Sequence, residues 1–332
     1  MSPGRQVEAG LLEAGLLEAI RRVSGHQGAR WATPPKQMRG GYFATIFRVR
    51  LADAPGLEGD LVARVLPTPE TWEREITAQS LASSQGFPTP AVRLGSLPTP
   101  EFDRAWILMD FAEGSPPLAA ATAGAFLRAL PRRLWRTPRL LADALVRLHA
   151  VDVRGEEVKF GRPGVAGTSL EWLYSDAARL GSPALMKRAE RLMATRPPYR
   201  GAVLCHGDMH PINILRGPEG EAVIDWTYAT YDDPLYDVAV TRMILWDLPV
   251  KSSWVLRPAI RAAGHLMARR FVARYESGSG APIDAQRLAW FTRLAALRIL
   301  AGVEDWRSGR DFGRPADHPF YLLASRLEEH PE

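Results

Sequence analysis

The sequence predicts a bilobal α+β protein, with a front lobe built on an antiparallel sheet and a back lobe built mostly from helices. Three observations carry this. Up to residue 111, apolar residues come in short alternating runs bounded by Gly, Pro and Asp, the pattern of half-buried strands. Beyond residue 118, they recur at helical spacing through long Ala-, Leu- and Arg-rich stretches. Between the helical stretches, 202–226 holds only short apolar runs separated by turn residues. The expected division is a front lobe at 1–111, a hinge at 112–117 and a helical lobe at 118–332.

The elements follow in order. Residues 5–22 read as an amphipathic helix, with Val7, Leu11, Leu12, Leu16 and Ile20 near a 3.6 period. Pro34 and Pro35 are expected to end local order. A hairpin spans 38–66: a Gly pair, then Ile46, Phe47, Val49 and Leu51 on one strand, then LVARVL at 61–66. A helix is expected over 70–84, stopped by Pro88 and Pro90, and two strands over 91–97 and 105–111. Helices are expected over 118–150, 170–195, 234–246, 253–275, 285–303 and 319–329, and short strands at 203–205, 213–215 and 222–224.

Composition bounds the function. The 332 residues suit about two domains. At 46% hydrophobic and 24% charged, the chain is unlike a disordered linker, a coiled coil or collagen. Only Lys36, Lys159, Lys187 and Lys251 are lysines among 42 basic residues, so the net charge of +5 is carried by arginine. That modest excess favours anions such as nucleotides, but no basic cluster interleaved with aromatics argues for nucleic acid. The one cysteine, Cys205, excludes an intrachain disulfide and a Cys-rich metal site, and suggests a cytoplasmic protein. Arg5, Glu8, Glu13 and Glu18 break up any secretory leader. The longest uncharged run, 114–127, is too short to span a bilayer.

The chemistry concentrates in LCHGDMHPINIL at 204–215 and AVIDW at 222–226. Asp208 lies five residues before Asn213, and Asp225 twelve residues after it. Phosphoryl transfer from a nucleotide needs this inventory. One carboxylate orients the attacking hydroxyl and accepts its proton, while an amide oxygen and a second carboxylate hold Mg²⁺ on the phosphates. His206 and His210 could be read as metal ligands, but Gly207 and Pro211 break any helix and no third ligand is near, which favours structural roles. Cys205 reads as a buried, inert thiol.

The run HGDxHPxN with a later IDW resembles the aminoglycoside phosphotransferase family, which also takes in homoserine, macrolide, fructosamine and choline kinase-like enzymes. The resemblance covers roughly 36–305 and implies a protein-kinase-like fold, ATP or GTP as donor, Mg²⁺, and a small-molecule hydroxyl acceptor. Carried over by position, Asp208 is the catalytic base, Asn213 and Asp225 are the metal ligands, and His206 buttresses the loop. Asp237, in the segment after the metal Asp, is expected to pin that loop. Gly40 and Gly41 head the hairpin that covers the nucleotide. Met109 packs near the base, and the Asp110 carbonyl and Ala112 N–H meet the adenine edge.

The sequence departs from the kinase pattern at Arg64, which stands on the third strand where a phosphate-gripping lysine is expected. Arginine can bind phosphate bidentately. Its partner is expected to be Glu75, with Glu73 the alternative. Helical spacing sets the two about 200° apart, so only one can face inward. The missing lysine keeps open a catalytically silent binding module, and the complete Asp/Asn/Asp set speaks for an enzyme. The acceptor is not legible. Asp232, Asp233, Asp247, Glu304 and Asp305 could receive a cationic one or be ordinary surface carboxylates.

Overall fold

The computed structural model describes residues 3–38, 44–67, 69–118, 123–155, 169–198, 200–248, 255–307 and 319–329. Its front half is a five-stranded antiparallel sheet of β1 (Arg30–Gln37), β2 (Thr45–Ala52), β3 (Leu61–Leu66), β4 (Val92–Ser96) and β5 (Ala105–Asp110), in the order β1-β2-β3-β5-β4. The period of two sorts β2 cleanly: Phe47, Val49 and Leu51 are buried while Arg48 and Arg50 are exposed. Leu16, Ala19 and Ile20 of α1 (Pro3–Ser24) pack with Phe47, Val49, Leu61, Ala63, Trp106 and Leu108 on one face. Successive side chains point to opposite faces, so Arg64 leaves the sheet on the side away from Ala63, toward α2 (Trp72–Ser84).

Two expectations are corrected. Pro34 and Pro35 do not end local order; they lie inside β1. An edge strand pairs on one side only, and the β1–β2 register shifts between Trp31 and Thr33 and again between Thr33 and Lys36, so the missing N–H groups fall where the ladder is irregular. The stretch 170–195 is not one helix but two, α4 (Ser169–Leu180) and α5 (Pro183–Ala194). Gly181 adopts φ +63°, and Pro183 opens the second helix where its absent N–H costs nothing.

The back half adds α3 (Ala123–Leu148), β6 (Val203–Cys205), β7 (Ile214–Gly217), β8 (Gly220–Val223), β9 (Thr230–Asp232), α6 (Leu235–Trp246), α7 (Arg257–Ser279), α8 (Ala285–Arg307) and α9 (Pro319–Glu329). β6 pairs with β9 and β7 with β8, both antiparallel. Helix α6 is apolar nearly all round and is buried in contact with α7 and α8. Among the described residues no helix is long and apolar enough to cross a membrane.

The halves are stitched together at defined points. Ser115 and Arg216 exchange backbone hydrogen bonds of 3.1 and 3.0 Å. A Cβ at Gly217 would fall on the Glu113 carbonyl, so only glycine lets this hairpin close on the 112–117 segment. Thr89, before β4, donates to the Val223 carbonyl at 2.8 Å and accepts from the Trp226 indole at 3.0 Å. Ala78, Ala82 and Phe87, on and just beyond α2, join the core of the back half rather than that of the sheet.

Candidate active site

The loop between β6 and β7 is held by one carboxylate. Asp237, in the first turn of α6 and fully buried, accepts the backbone N–H of His206 at 2.8 Å and of Gly207 at 2.7 Å. His149, one residue past α3, reaches Asp237 through Nε2 at 3.2 Å and the Tyr275 hydroxyl through Nδ1 at 2.7 Å. Gly207 has φ +72°, and a Cβ there would fall on the Tyr228 carbonyl. The loop therefore needs glycine for both its conformation and its packing.

His206 ties this loop to the segment that carries Asp225. The Asp208 N–H donates to its Nδ1 at 3.3 Å, so its proton is on Nε2 and is donated to the Ile224 carbonyl at 3.1 Å. Burial, outweighing the nearby Asp237, Asp208 and Asp225, holds the imidazole pKa below 6.5, and the ring is neutral. A backbone bond from Ile224 N–H to the Asn213 carbonyl, 2.9 Å, makes the second connection.

Asp208, Asn213 and Asp225 all sit around these two loops. The Asn213 amide donates to the Asp208 backbone carbonyl at 2.9 Å and to Asp208 Oδ2 at 3.3 Å. His210 Nε2 lies 3.4 Å from the same Oδ2. Asp208 Oδ1 is buried and has no hydrogen-bond partner among the described residues. Asp225 takes φ +65°, rare for a residue other than glycine. Burial raises its carboxyl, but the Arg64 guanidinium and the Thr227 hydroxyl outweigh this and hold it below the ordinary 3.8.

Arg64 is almost fully enclosed. Its Nε lies 2.8 Å from Glu75 Oε1, a close charge contact rather than a linear hydrogen bond. Its Nη2 reaches Asp225 Oδ1 at 3.2 Å and Thr227 Oγ1 at 3.1 Å, and Thr227 donates to Asp225 at 2.7 Å. Glu75 is completely buried, whereas Glu73 is exposed. Arg74 supports the same knot, donating to the Thr227 carbonyl at 2.6 Å and stacking on Trp172.

The other expected residues fall as follows. Met109 is buried, and the Gln79 amide donates to its sulfur at 3.3 Å. Asp110 and Ala112 stand where β5 runs out toward the back half; Asp110 N–H donates to the Ala91 carbonyl, and the Asp110 carboxylate takes a bidentate contact from Arg93. Gly40 and Gly41 lie outside the described residues. Asp232 and Asp233 are not available to a cationic acceptor: both are buried, Asp232 accepting from Ser169 and Asp233 from Arg287. His149, Cys205 and Asp237 cluster closely enough for a metal, but the two ring nitrogens and the carboxylate are already hydrogen-bonded. Burial pushes the Cys205 thiol well above its usual value.

Thr227, Arg74, His149 and Arg298 were not anticipated from the sequence. Thr227 is two residues past Asp225, a spacing that could have flagged it. Arg298, on α8, is one of 38 arginines and carries no local signal. It lines a cavity of about 170 Å³ beside the loops, walled by Arg74, Trp172, Arg179, Tyr228 and Trp306 among others.

A sheet lobe packed on a helical lobe, with Asp/Asn and Asp loops between them, defines the protein-kinase-like class of phosphotransferases. The phosphotransferase enzyme family (APH) matches residues 36–291, and the chain belongs to it. Over 211 residues the chain is 26% identical to mouse acyl-CoA dehydrogenase family member 10, covering 58% of the present chain but only 18% of that longer protein. The fold is similar to a thermostable mutant of aminoglycoside phosphotransferase APH(4)-Ia in ternary complex with AMP-PNP and hygromycin B, with TM-score 0.59, 18% identity, and 95% and 98% of the two chains covered. It is similar also to Plasmodium vivax ethanolamine kinase, with TM-score 0.61, 12% identity, and 92% and 83% covered.

Proposed function

We propose that the protein is a small-molecule O-phosphotransferase that moves the γ-phosphate of ATP or GTP to a hydroxyl acceptor, with Asp208 as base. The observation that carries this is the arrangement around Asp208. Its carboxylate is buried and fixed by Asn213, yet Oδ1 has no hydrogen-bond partner among the described residues and is free to accept a hydroxyl proton. Family membership and AMP-PNP in the APH(4)-Ia complex support the nucleotide.

In the transfer, the acceptor O–H gives its proton to Asp208. Its oxygen bonds to the γ-phosphorus as the bond from phosphorus to the β,γ-bridging oxygen breaks, and the nucleoside diphosphate leaves. Little covalent chemistry is asked of the protein, so positioning and electrostatics supply the rate. The nucleotide would lie against the sheet lobe, its base near Met109 and meeting the Asp110 carbonyl and the Ala112 N–H, its phosphates near Arg64. A divalent cation fits the donor set. Asp225 Oδ1 is occupied by Arg64 and Thr227 while Oδ2 remains, and with Nδ2 spent on Asp208, Asn213 offers Oδ1. Bound there, Mg²⁺ would neutralise charge on the phosphates.

The test is Asp208→Asn. The rate of ADP formation with an accepted alcohol is expected to fall about 10²–10⁴-fold, while Mg-nucleotide affinity measured by calorimetry stays near that of the wild type. Full turnover by the variant would remove Asp208 from the mechanism. Nucleotide binding by the wild type with no transfer to any acceptor or to water would favour a silent binding module.

A further inference from the structure

The cavity does not have Asp208 in its wall, but it has a cationic side chain with no carboxylate in hydrogen-bond range among the described residues. Arg298 lines it and reaches to within 3.9 Å of Asp208 Oδ1, beyond hydrogen-bond range. Its side chain is only 14% exposed, and its Nε is buried with no hydrogen-bond partner among the described residues. Aromatic rings hold its plane: the guanidinium lies 4.2 Å from the Tyr228 ring centre and 5.9 Å from that of Tyr236.

The other charges on the cavity wall are committed. Arg179 takes Asp305 in a bidentate contact of 3.0 and 3.1 Å and lies 3.5 Å from Asp176. The third carboxylate, Glu70, adds to the field on Arg179. Arg74 donates to the Thr227 carbonyl and stacks on Trp172. Three carboxylates, Glu70, Asp176 and Asp305, face three arginines, Arg74, Arg179 and Arg298, so the wall as a whole carries no net charge. Burial opposes the guanidinium charge, but Tyr236, Asp208, Tyr228 and Asp237 outweigh it and keep Arg298 charged. Its enclosed Nε is left without a hydrogen bond among the described residues, which is costly unless something completes it. Arg298 stands beside the carboxylate that would receive the hydroxyl.

We propose that the acceptor is an alcohol that also bears an oxyanionic group, carboxylate or phosphate monoester, and that Arg298 receives this group while Asp208 holds the hydroxyl. The inference rests on the phosphotransferase reading above and deepens it by naming the substrate class. Arginine suits the role because its planar fork meets a carboxylate or phosphate through two parallel N–H donors. It also explains why a cation is tolerated next to the base: an acceptor anion bound to Arg298 offsets it, whereas an ammonium group there would meet like charge. Arg298 is a specificity-determining residue on this account.

The experiment is a matched panel assayed for ADP release and product mass in the presence of Mg²⁺ and ATP. It comprises 3-hydroxybutanoate, its methyl ester, 4-aminobutan-2-ol and 1,3-butanediol 1-phosphate, each repeated in a series lengthened by two carbons. Turnover is expected for a carboxylate or phosphate member, at a kcat/KM at least about tenfold above its neutral and amine counterparts; which of the two works identifies the oxyanion. Arg298→Gln is expected to raise KM for the accepted anion about ten- to hundredfold, the worth of one charge-assisted contact, with kcat changed less. It should also bring acid and ester within about threefold of each other, and Arg298→Lys is expected to recover part of the KM. A purely structural role would lower both substrates alike. Turnover confined to neutral or amine members, or absent from the whole panel while Mg-ATP binds, overturns the oxyanion proposal and leaves the phosphotransferase reading standing. If Mg-ATP does not bind, the phosphotransferase reading itself fails.

Discussion

Two enclosed arginines lie near the loops, Arg64 on β3 and Arg298 on α8, and they are treated differently by the fold. Arg64 touches Glu75, Asp225 and Thr227, and each contact is within 3.2 Å. Arg298 faces two tyrosine rings and the nearer oxygen of Asp208 is 3.9 Å away. A buried charge that is paired and hydrogen-bonded belongs to the framework; one left short of partners is where a ligand completes the structure. The contrast places Arg64 among the contacts that hold Asp225, and it is the ground on which reception of the acceptor was proposed for Arg298.

The sharpest way to break this comparison is a pair of equivalent truncations. Arg64→Met strands Glu75, which has no exposure, and is expected to cost about 3–5 kcal/mol in urea unfolding. Arg298→Met removes a guanidinium that is poorly matched and is expected to cost less than about 1 kcal/mol. Adding Glu75→Gln to Arg64→Met is expected to recover part of the loss, because it deletes the stranded charge. Equal losses for the two arginines would show that Arg298 is as much framework as Arg64.

The next effect is smaller and tests the loop that carries Asp208. Gly207→Ala is expected to destabilise by about 2 kcal/mol or more, since φ +72° alone costs a residue with a Cβ about 1–2 kcal/mol and the added carbon falls on the Tyr228 carbonyl. Because Gly207 adjoins Asp208, kcat is expected to fall with stability. Gly28→Ala, with open space around it and no positive φ, is the control and is expected to stay within about 0.5 kcal/mol. A neutral Gly207→Ala would mean that the loop can relax without disturbing Asp208.

What the sequence disclosed follows the range of its signals. Periodicity in β2 and β3 put Arg64 on a strand, and helical geometry left Glu75 or Glu73 as its partner; burial then separates them, with Glu75 inside and Glu73 outside. The loop residues were legible because Asp208, Asn213 and Asp225 are close in sequence. β1 was missed because its two prolines are breakers in a central strand but are tolerated at an irregular edge. β9 was missed because Thr230, Tyr231 and Asp232 show no alternation; the strand exists through its ladder to Val203–Cys205. Arg298 was out of reach for the same reason at larger scale. It is 90 residues beyond Asp208 on a helix with 23 residues, and the packing of α8 against α6, whose Asp237 holds the Asp208 loop, helps bring the two together.

The smallest expected effect is a pH slope, and it tests whether the neutral His206 is what joins the two loops. The ring accepts from Asp208 N–H and donates to the Ile224 carbonyl, a pattern that exists only in the neutral form. Its folded pKa lies below 6.5 because burial disfavours the imidazolium, although Asp237, Asp208 and Asp225 face it and pull the other way. The unfolded chain therefore binds the proton more readily than the folded one. The stabilisation is fully present above pH 6.5 and is lost as pH falls below it toward the folded value. Urea unfolding between pH 7.5 and 5.5 brackets the ordinary imidazole value of 6.5. Stability of the wild type is expected to fall across that interval, and His206→Asn, which keeps an acceptor and a donor but cannot take the proton, is expected to show a shallower slope whatever its absolute stability. Identical slopes would mean that His206 is not the group that titrates on unfolding. The join between Asp208 and Asp225 would then rest on the Ile224–Asn213 backbone bond instead.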